Sequence, residues 1–251
     1  ALVKKGYNVK AFVLYNSFSL NGWLDTLPNK IKNNFEISYG DLRDKNSLLE
    51  ASKNCKVFYN LGALISIPYS YQAPESFVQT NVLGTLNLLD IARKNDIDLF
   101  VQTSTSEVYG SAKFVPMTEE HSLNGQSPYS ASKIASDQMA YSFYTSYNLP
   151  VTILRPFNTY GPRQSARAII PTIISQLINN NKTLKLGNIT STRDFNYIED
   201  TVSGFLKCLN VKDAIGEVIN IGSGYECKIS ELVKIIENIF GTKIKIQYKK
   251  D

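Results

Sequence analysis

The chain has 251 residues, 43% of them hydrophobic and 20% charged, with 27 Lys and Arg against 22 Asp and Glu for a net charge of +5. That is globular composition, long enough for one large core or two lobes, and no apolar run approaches the roughly 20 residues that span a bilayer. The basic residues are scattered, the densest group being Lys243, Lys245, Lys249 and Lys250, which reads as a solvated face and not as a nucleic-acid stripe.

In chain order, residues 9–15, 36–39, 57–61, 99–103 and 151–154 are short runs rich in Val, Phe, Tyr and Ile, and are predicted strands. Residues 46–52, 75–94 and 128–147 carry apolar side chains at three- and four-residue spacing and are predicted helices. Strand alternating with helix predicts an α/β fold: a doubly wound parallel sheet covered on both faces, with ligands at the carboxyl ends of its strands. Past Pro156 the rhythm loosens at Gly161-Pro162, Gly187-Asn188 and Gly222-Ser223-Gly224. The expected division is a Rossmann-like domain over residues 1–157 and a smaller substrate lobe over 158–251, interleaved with the last sheet strands. A dinucleotide-binding sheet opens with a strand, a glycine-rich turn and a helix whose amides hold a pyrophosphate. Leu2-Val3-Lys4-Lys5-Gly6 reads as the tail of that helix, so the first strand and its glycine-rich loop are expected to be missing. At the other end a predicted strand at 243–248 is expected to precede further chain.

The stock of reactive side chains is narrow. His121 is the only histidine, which argues against a Ser/His/Asp triad and a multi-histidine metal site. Cys55, Cys208 and Cys227 stand far apart with no CxxC pair, as expected of thiols in a reducing cytoplasm. The chemistry instead collects in two segments. In Tyr129-Ser130-Ala131-Ser132-Lys133 a Tyr and a Lys four apart project from one face of a helix. A free tyrosine titrates near about 10. An ammonium beside it is expected to lower that value and make Tyr129 a proton acceptor for an alcohol.

Phe100-Val101-Gln102-Thr103-Ser104-Thr105-Ser106-Glu107-Val108-Tyr109-Gly110 is a buried-type strand entering a hydroxyl-rich turn with one carboxylate. There Thr105 can hydrogen-bond the same substrate oxygen as Tyr129, and Glu107 can accept a second proton. Ser and Thr could instead merely cap the turn; the Tyr/Lys helix downstream favours catalysis.

Six motifs stand in order from residue 40 to residue 200: Gly40-Asp41-Leu42, Asn81-Val82-Leu83-Gly84-Thr85, Ser104 through Gly110, Tyr129 through Lys133, Arg155-Pro156-Phe157-Asn158-Thr159-Tyr160-Gly161-Pro162-Arg163, and Thr192-Arg193-Asp194-Phe195-Asn196-Tyr197-Ile198-Glu199-Asp200. Together they resemble the extended short-chain dehydrogenases that act on nucleotide sugars. Within that group, Ala63-Leu64-Ile65-Ser66-Ile67-Pro68-Tyr69-Ser70-Tyr71, Gly125-Gln126-Ser127 and Pro162-Arg163-Gln164-Ser165-Ala166-Arg167-Ala168 resemble the NAD-dependent 4,6-dehydratases of the legionaminic-acid pathway, of the UDP-N-acetylglucosamine type.

The resemblance implies NAD as cofactor, a nucleotide-sugar substrate, no nucleic-acid or membrane partner, a cytoplasmic location and a homodimer paired through the helices at 75–94 and 128–147. It implies that Asp41 and Leu42 meet the adenine, that Leu61, Ala63, Asn81 and Thr103 line the cofactor site, and that Tyr129 and Lys133 hold the nicotinamide ribose. Asn158, Arg163, Arg167 and Arg193 would grip the substrate's nucleotide and diphosphate, a task suited to forked guanidinium donors; surface ion pairing is the alternative for each arginine.

The catalytic set implied is Thr105, Ser106, Glu107, Tyr129 and Lys133, and it contains one departure. Many 4,6-dehydratases carry Thr-Asp-Glu at this turn, the Asp serving as acid for the departing hydroxyl. Ser106 stands there instead, and an unionised serine is a poor acid. Thr-Ser-Glu also occurs in UDP-glucuronate decarboxylases, so loss of CO2 after C4 oxidation stays open. Simple C4 epimerisation also stays open but leaves Glu107 without a task. A non-catalytic nucleotide-sugar binder is the remaining reading, against which stand the intact Thr105, Tyr129 and Lys133.

Overall fold

The computed structural model describes residues 1–179 and 183–248; Lys249 and Lys250 of the basic group lie outside the described residues. The chain divides into two compact units, Ala1–Pro156 with Val202–Ile221, and Phe157–Thr201 with Gly222–Asp251.

In the first unit, five strands follow in chain order: β1 (Lys10–Leu14), β2 (Glu36–Gly40), β3 (Val57–Asn60), β4 (Leu99–Thr103) and β5 (Val151–Pro156). The strand Val218–Ile221, β5, β4 and β3 pair in that order, all parallel. β1 and β2 form a parallel ladder of their own. Alternation along the strands divides their side chains between two cores. Phe100, Val151 and Ile153 pack with Leu48, Leu89, Ile91 and Phe143. Leu99, Val101 and Leu154 pack with Cys208, Phe205, Leu209 and Ile219. Burial on both faces is why β4 and β5 read as continuous apolar runs. The fold is therefore the α/β, doubly wound parallel arrangement expected from the sequence.

Three details differ from the sequence reading. The helix expected at 75–94 is Pro74–Phe77, a π-helical stretch Val78–Leu83, then Gly84–Lys94. A further helix, Ile67–Gln72, begins with Pro68 in its first turn. β5 runs to Pro156, because Arg155 is buried and paired instead of ending the strand.

In the second unit, Asn158–Tyr160 pairs in parallel with Phe195–Tyr197, Thr183–Leu186 in parallel with Lys245–Tyr248, and Thr192–Arg193 antiparallel with Cys227–Lys228. Ile173, Leu184, Leu186, Leu232, Val233 and Ile236 form its core. Among the described residues, no helix is long and apolar enough to cross a membrane and no His, Cys, Asp and Glu group is placed to hold a metal ion.

The ends of the helix Pro128–Tyr147 are set locally. Ser127 Oγ accepts from Ser130 N at 3.1 Å and Ser130 Oγ accepts from Ser127 N at 3.0 Å, a reciprocal cap in front of Pro128. Asn148, left-handed at φ 56°, closes the other end. Ser127→Ala is expected to lower stability by about 1 kcal/mol, read as a lower urea midpoint with an unchanged slope.

Candidate active site

The turn at the end of β4 is built around Thr105. Ser104 N donates to Leu154 O at 2.7 Å, which continues the strand pairing into the turn. Thr105 is extended, and its Oγ1 accepts from Glu107 N at 3.2 Å, so it does cap the short helical turn Ser106–Tyr109. The same hydroxyl lies close enough to the Tyr129 phenol to favour its ionised form. Val108 and Tyr109 are fully buried anchors, while Thr105, Ser106 and Glu107 are half-buried. The turn thus brings Thr105, Glu107 and Tyr129 together.

Tyr129 and Lys133 are 7% and 5% exposed, and that burial decides their electrostatics. Burial pushes the Tyr129 phenol up to about 12; the Thr105 hydroxyl opposes this and the charges of Glu107 and Asp137 add to it. Burial pushes the Lys133 ammonium down to about 8, against the attraction of Asp137. Spacing alone predicts that Lys133 lowers the Tyr129 value; the structure overturns this, because burial is the dominant influence on both groups. Desolvation penalises the charged form of each group, and Lys133 Nζ donates to Thr103 O at the end of β4.

One turn beyond Lys133 lies a buried cluster that the sequence reading did not single out. Asp137 Oδ2 accepts from Ser104 Oγ at 2.7 Å and from Arg155 Nε at 3.1 Å. Arg155 Nη1 donates to Tyr109 Oη at 3.0 Å, and Tyr109 Oη donates to Asn220 Oδ1 at 2.7 Å. The available signal was the repeat Tyr129, Lys133, Asp137 at four-residue intervals on one helix face. Burial pushes the Asp137 carboxyl up, opposed by Arg155, Ser104 and Lys133.

Of the expected cofactor residues of this unit, Asp41, Leu42, Leu61, Ala63 and Thr103 lie at or just past strand ends. The Asp41 carboxylate is forked by Arg43, with Nε at 2.9 Å and Nη2 at 2.6 Å, which holds it below the usual carboxylate range. Leu42 rests on two glycines. A Cβ at Gly62 would sit 2.7 Å from Leu42 Cδ1, which the Leu42 side chain could move to relieve, and one at Gly84 2.9 Å from Leu42 Cβ, so it is at Gly84 that glycine allows the close approach to Leu42. In the loop after β3, Leu61 is 64% exposed and Ala63 half-buried. Asn81 is buried, and its amide is spent internally: Oδ1 accepts from Leu64 N at 2.8 Å, while Nδ2 donates to Leu64 O and to Ser132 Oγ, both at 2.9 Å. It ties the loop to the Tyr/Lys helix through a π-helical stretch, a feature common at functional sites. Thr103 Oγ1 is buried and has no hydrogen-bond partner among the described residues.

In the second unit, Asn158 and Arg193 are brought together through Asp194, whose carbonyl accepts from Asn158 N at 3.0 Å. The Asp194 carboxylate also accepts from Ser223 N at 3.0 Å, Ser223 Oγ at 2.6 Å and Gly224 N at 2.9 Å. It is a second organiser missed from sequence. Arg163, Arg167 and Arg193 are exposed. Arg163 is left-handed at φ 71°, a conformation that non-glycine residues adopt sparingly.

The model of the family described as GDP-mannose 4,6 dehydratase matches residues 1–251. The low-salt glycan biosynthesis protein Agl12 of Haloferax volcanii is 37% identical over 213 residues, 84% of this chain and 68% of that protein. The UDP-glucuronic acid 4-epimerase of Bacillus cereus, solved with UDP-glucuronic acid and NAD, has a TM-score of 0.88 at 27% identity, over 100% of this chain and 80% of that one. A dTDP-glucose 4,6-dehydratase of Streptomyces venezuelae, solved with NAD bound, has a TM-score of 0.87 at 28% identity, over 99% of this chain and 80% of that one. Among other curated relatives the chain spans from 48% to 76% of their length.

Lys133 gives a pH-dependent test. Its ordinary value is 10.5 and its folded value about 8, so between these pH values the unfolded chain holds a proton that the folded chain has released. Stability attributable to Lys133 is therefore expected to rise by about 3 kcal/mol from pH 8 to 10.5. Urea midpoints over that range should show this rise flattened in Lys133→Met; parallel curves for the two chains would contradict it.

Proposed function

Because the chain belongs to the GDP-mannose 4,6 dehydratase family, we propose that it converts a nucleotide-linked N-acetylglucosamine to the 4-keto-6-deoxy sugar through transient NAD-dependent oxidation at C4. The observation that carries this reading is Thr105, whose hydroxyl accepts from Glu107 N at 3.2 Å and lies beside the Tyr129 phenol. One turn thereby sets a proton acceptor for the C4 oxygen beside a carboxylate for the neighbouring carbon.

Asp41, Leu42, Leu61, Ala63, Thr103 and Lys133 would hold NAD. The exposed apolar Leu61 and the unpartnered Thr103 hydroxyl fit a ligand with both apolar and polar faces, and Asn81 supports them from behind. The two solved relatives with NAD bound support the same cofactor. When bound, NAD supplies the hydride acceptor for C4, the donor that returns to C6 and a positive charge that favours the Tyr129 phenolate.

Tyr129 Oη takes the proton of the sugar 4-hydroxyl while Thr105 Oγ1 bonds the same oxygen. The resulting ketone acidifies C5–H, and the Glu107 carboxylate removes that proton. Glu107, with the Ser106 hydroxyl as relay, returns it to the departing C6 hydroxyl, which leaves as water; a solvent proton is then delivered to C5, balanced by release of the 4-hydroxyl proton that Tyr129 took. Asn158, Arg163, Arg167 and Arg193 bind the nucleotide and its diphosphate, for which exposed guanidinium groups are suited. On this reading the protein is a cytoplasmic homodimer; exposed Val78, Leu83, Met139 and Tyr141 on the two expected pairing helices support the dimer.

A second reading is favoured by Ser106, which offers no carboxylic acid for the leaving hydroxyl: C4 oxidation followed by decarboxylation of UDP-glucuronate. The similarity to a UDP-glucuronic acid 4-epimerase supports epimerisation as a further variant. The deciding experiment supplies the full-length protein with NAD+ and UDP-N-acetylglucosamine. Mass spectrometry is expected to show loss of water without net NADH release; CO2 loss from UDP-glucuronate, with the hexosamine untouched, would replace the dehydratase reading. Glu107→Gln is expected to retain C4 oxidation but to slow deuterium entry at C5 by ~100-fold or more. Normal exchange would remove Glu107 as the base.

A further inference from the structure

We infer that Asp137 is a positioning residue that holds the Lys133 ammonium, and with it the Tyr129 helix, against the catalytic turn at the end of β4. Lys133 and Asp137 lie one turn apart on one helix face, 5% and 1% exposed. Both reach the end of β4, Lys133 through O of its last residue Thr103 and Asp137 through Oγ of the next residue, Ser104, at 2.7 Å. The two attachment points are consecutive residues, immediately ahead of Thr105. Helix and turn are therefore stapled twice, in the one register that lets Tyr129 meet the Thr105 hydroxyl.

The staple is also electrostatic. Arg155 of β5 binds the same Asp137 oxygen, Oδ2, at 3.1 Å and is itself oriented by Tyr109 at 3.0 Å. Asp137 Oδ1 is buried and makes no hydrogen bond among the described residues. One oxygen thus serves the scaffold while the carboxylate's remaining field acts on Lys133, one helix turn away on the same face. The groups that face this carboxylate are Lys133 on its own helix, Ser104 just after β4 and Arg155 on β5. Tyr129 and Glu107 lie toward the turn, and both enter the electrostatics of the phenol. An isolated buried ammonium sheds its proton readily, and an anion at this distance opposes that loss. Asp137 accordingly keeps Lys133 charged and in register without touching substrate. Its catalytic consequence rests on the function proposed above; its effect on Lys133 does not.

The test follows the Lys133 side chain by NMR of isotope-labelled lysine in the full-length protein, assigned with Lys133→Arg. In Asp137→Asn, which preserves shape and hydrogen bonding, the Lys133 midpoint is expected to fall by about one pH unit or more. The alkaline limb of kcat/KM should move to lower pH by the same amount, with kcat reduced about tenfold or more and KM changed less. Asp137→Glu keeps the charge and should hold the Lys133 midpoint near that of the natural chain. A purely packing role predicts the reverse order, the larger glutamate being the worse fit in a full core. An unchanged Lys133 midpoint in folded Asp137→Asn would overturn the proposal. If that chain does not fold, a midpoint in Asp137→Glu that falls by a unit or more would overturn it instead. Absence of water loss in the natural protein would sink the dehydratase reading alone, since the Lys133 midpoint is measured without substrate.

Discussion

β4 is covered on both faces, and the chemistry is confined by that constraint. Leu99, Phe100 and Val101 are each 5% exposed or less, so a polar side chain within the strand must find its partner inside the sheet layer. Gln102 does so: its Oε1 accepts from Asn60 Nδ2 on β3 at 2.9 Å, and the same Nδ2 donates to Thr85 at 3.0 Å. Everything else polar is displaced to the carboxyl end, where Thr103 to Glu107 emerge from the core. A parallel sheet buried on both faces thus concentrates reactive groups at one edge, independently of what those groups are.

The helix Pro128–Tyr147 has to meet that edge in a single register, and hydrophobic packing alone does not define one. Ala140 and Phe143 seat its far half in the apolar core, but its first half faces the turn with Tyr129, Lys133 and Asp137. Burying three ionisable groups on consecutive turns costs desolvation, visible in the raised tyrosine and aspartate values and the lowered lysine value. Arg155 supplies a buried counter-charge, and Ser104 and Thr103 supply hydrogen bonds at the height where the turn begins. Breaking such a pair costs more than making it gains, which makes the cluster a device for specifying geometry.

The second unit repeats the principle with less burial. Asp194 draws Ser223 and Gly224 onto the strand that carries Arg193 and accepts from the Asn158 amide through its carbonyl. Gly222 is needed for that approach, since a Cβ there would lie 2.9 Å from the Asp194 carboxylate. In both units a buried or half-buried aspartate organises residues that were legible as binding or catalytic candidates, while the aspartate itself was not.

From sequence alone, the alternation of apolar runs with helical periodicity determined the doubly wound parallel fold, because side-chain period is a local property of the chain. The spacing of Tyr129 and Lys133, and the hydroxyl-rich turn after β4, determined which face and which strand end carry the chemistry. Helix Ile67–Gln72 escaped because it is one short segment with a proline at its start, and the π-helical stretch because periodicity does not distinguish it from the helices on either side. Tertiary structure alone decided the electrostatics. Spacing puts an ammonium one turn from a phenol, but whether it lowers the phenol's pKa depends on how much water reaches both. Here burial reverses the expected sign, and the pairing of Asp137 with Arg155 joins residues 18 apart in sequence through two elements that only packing brings together.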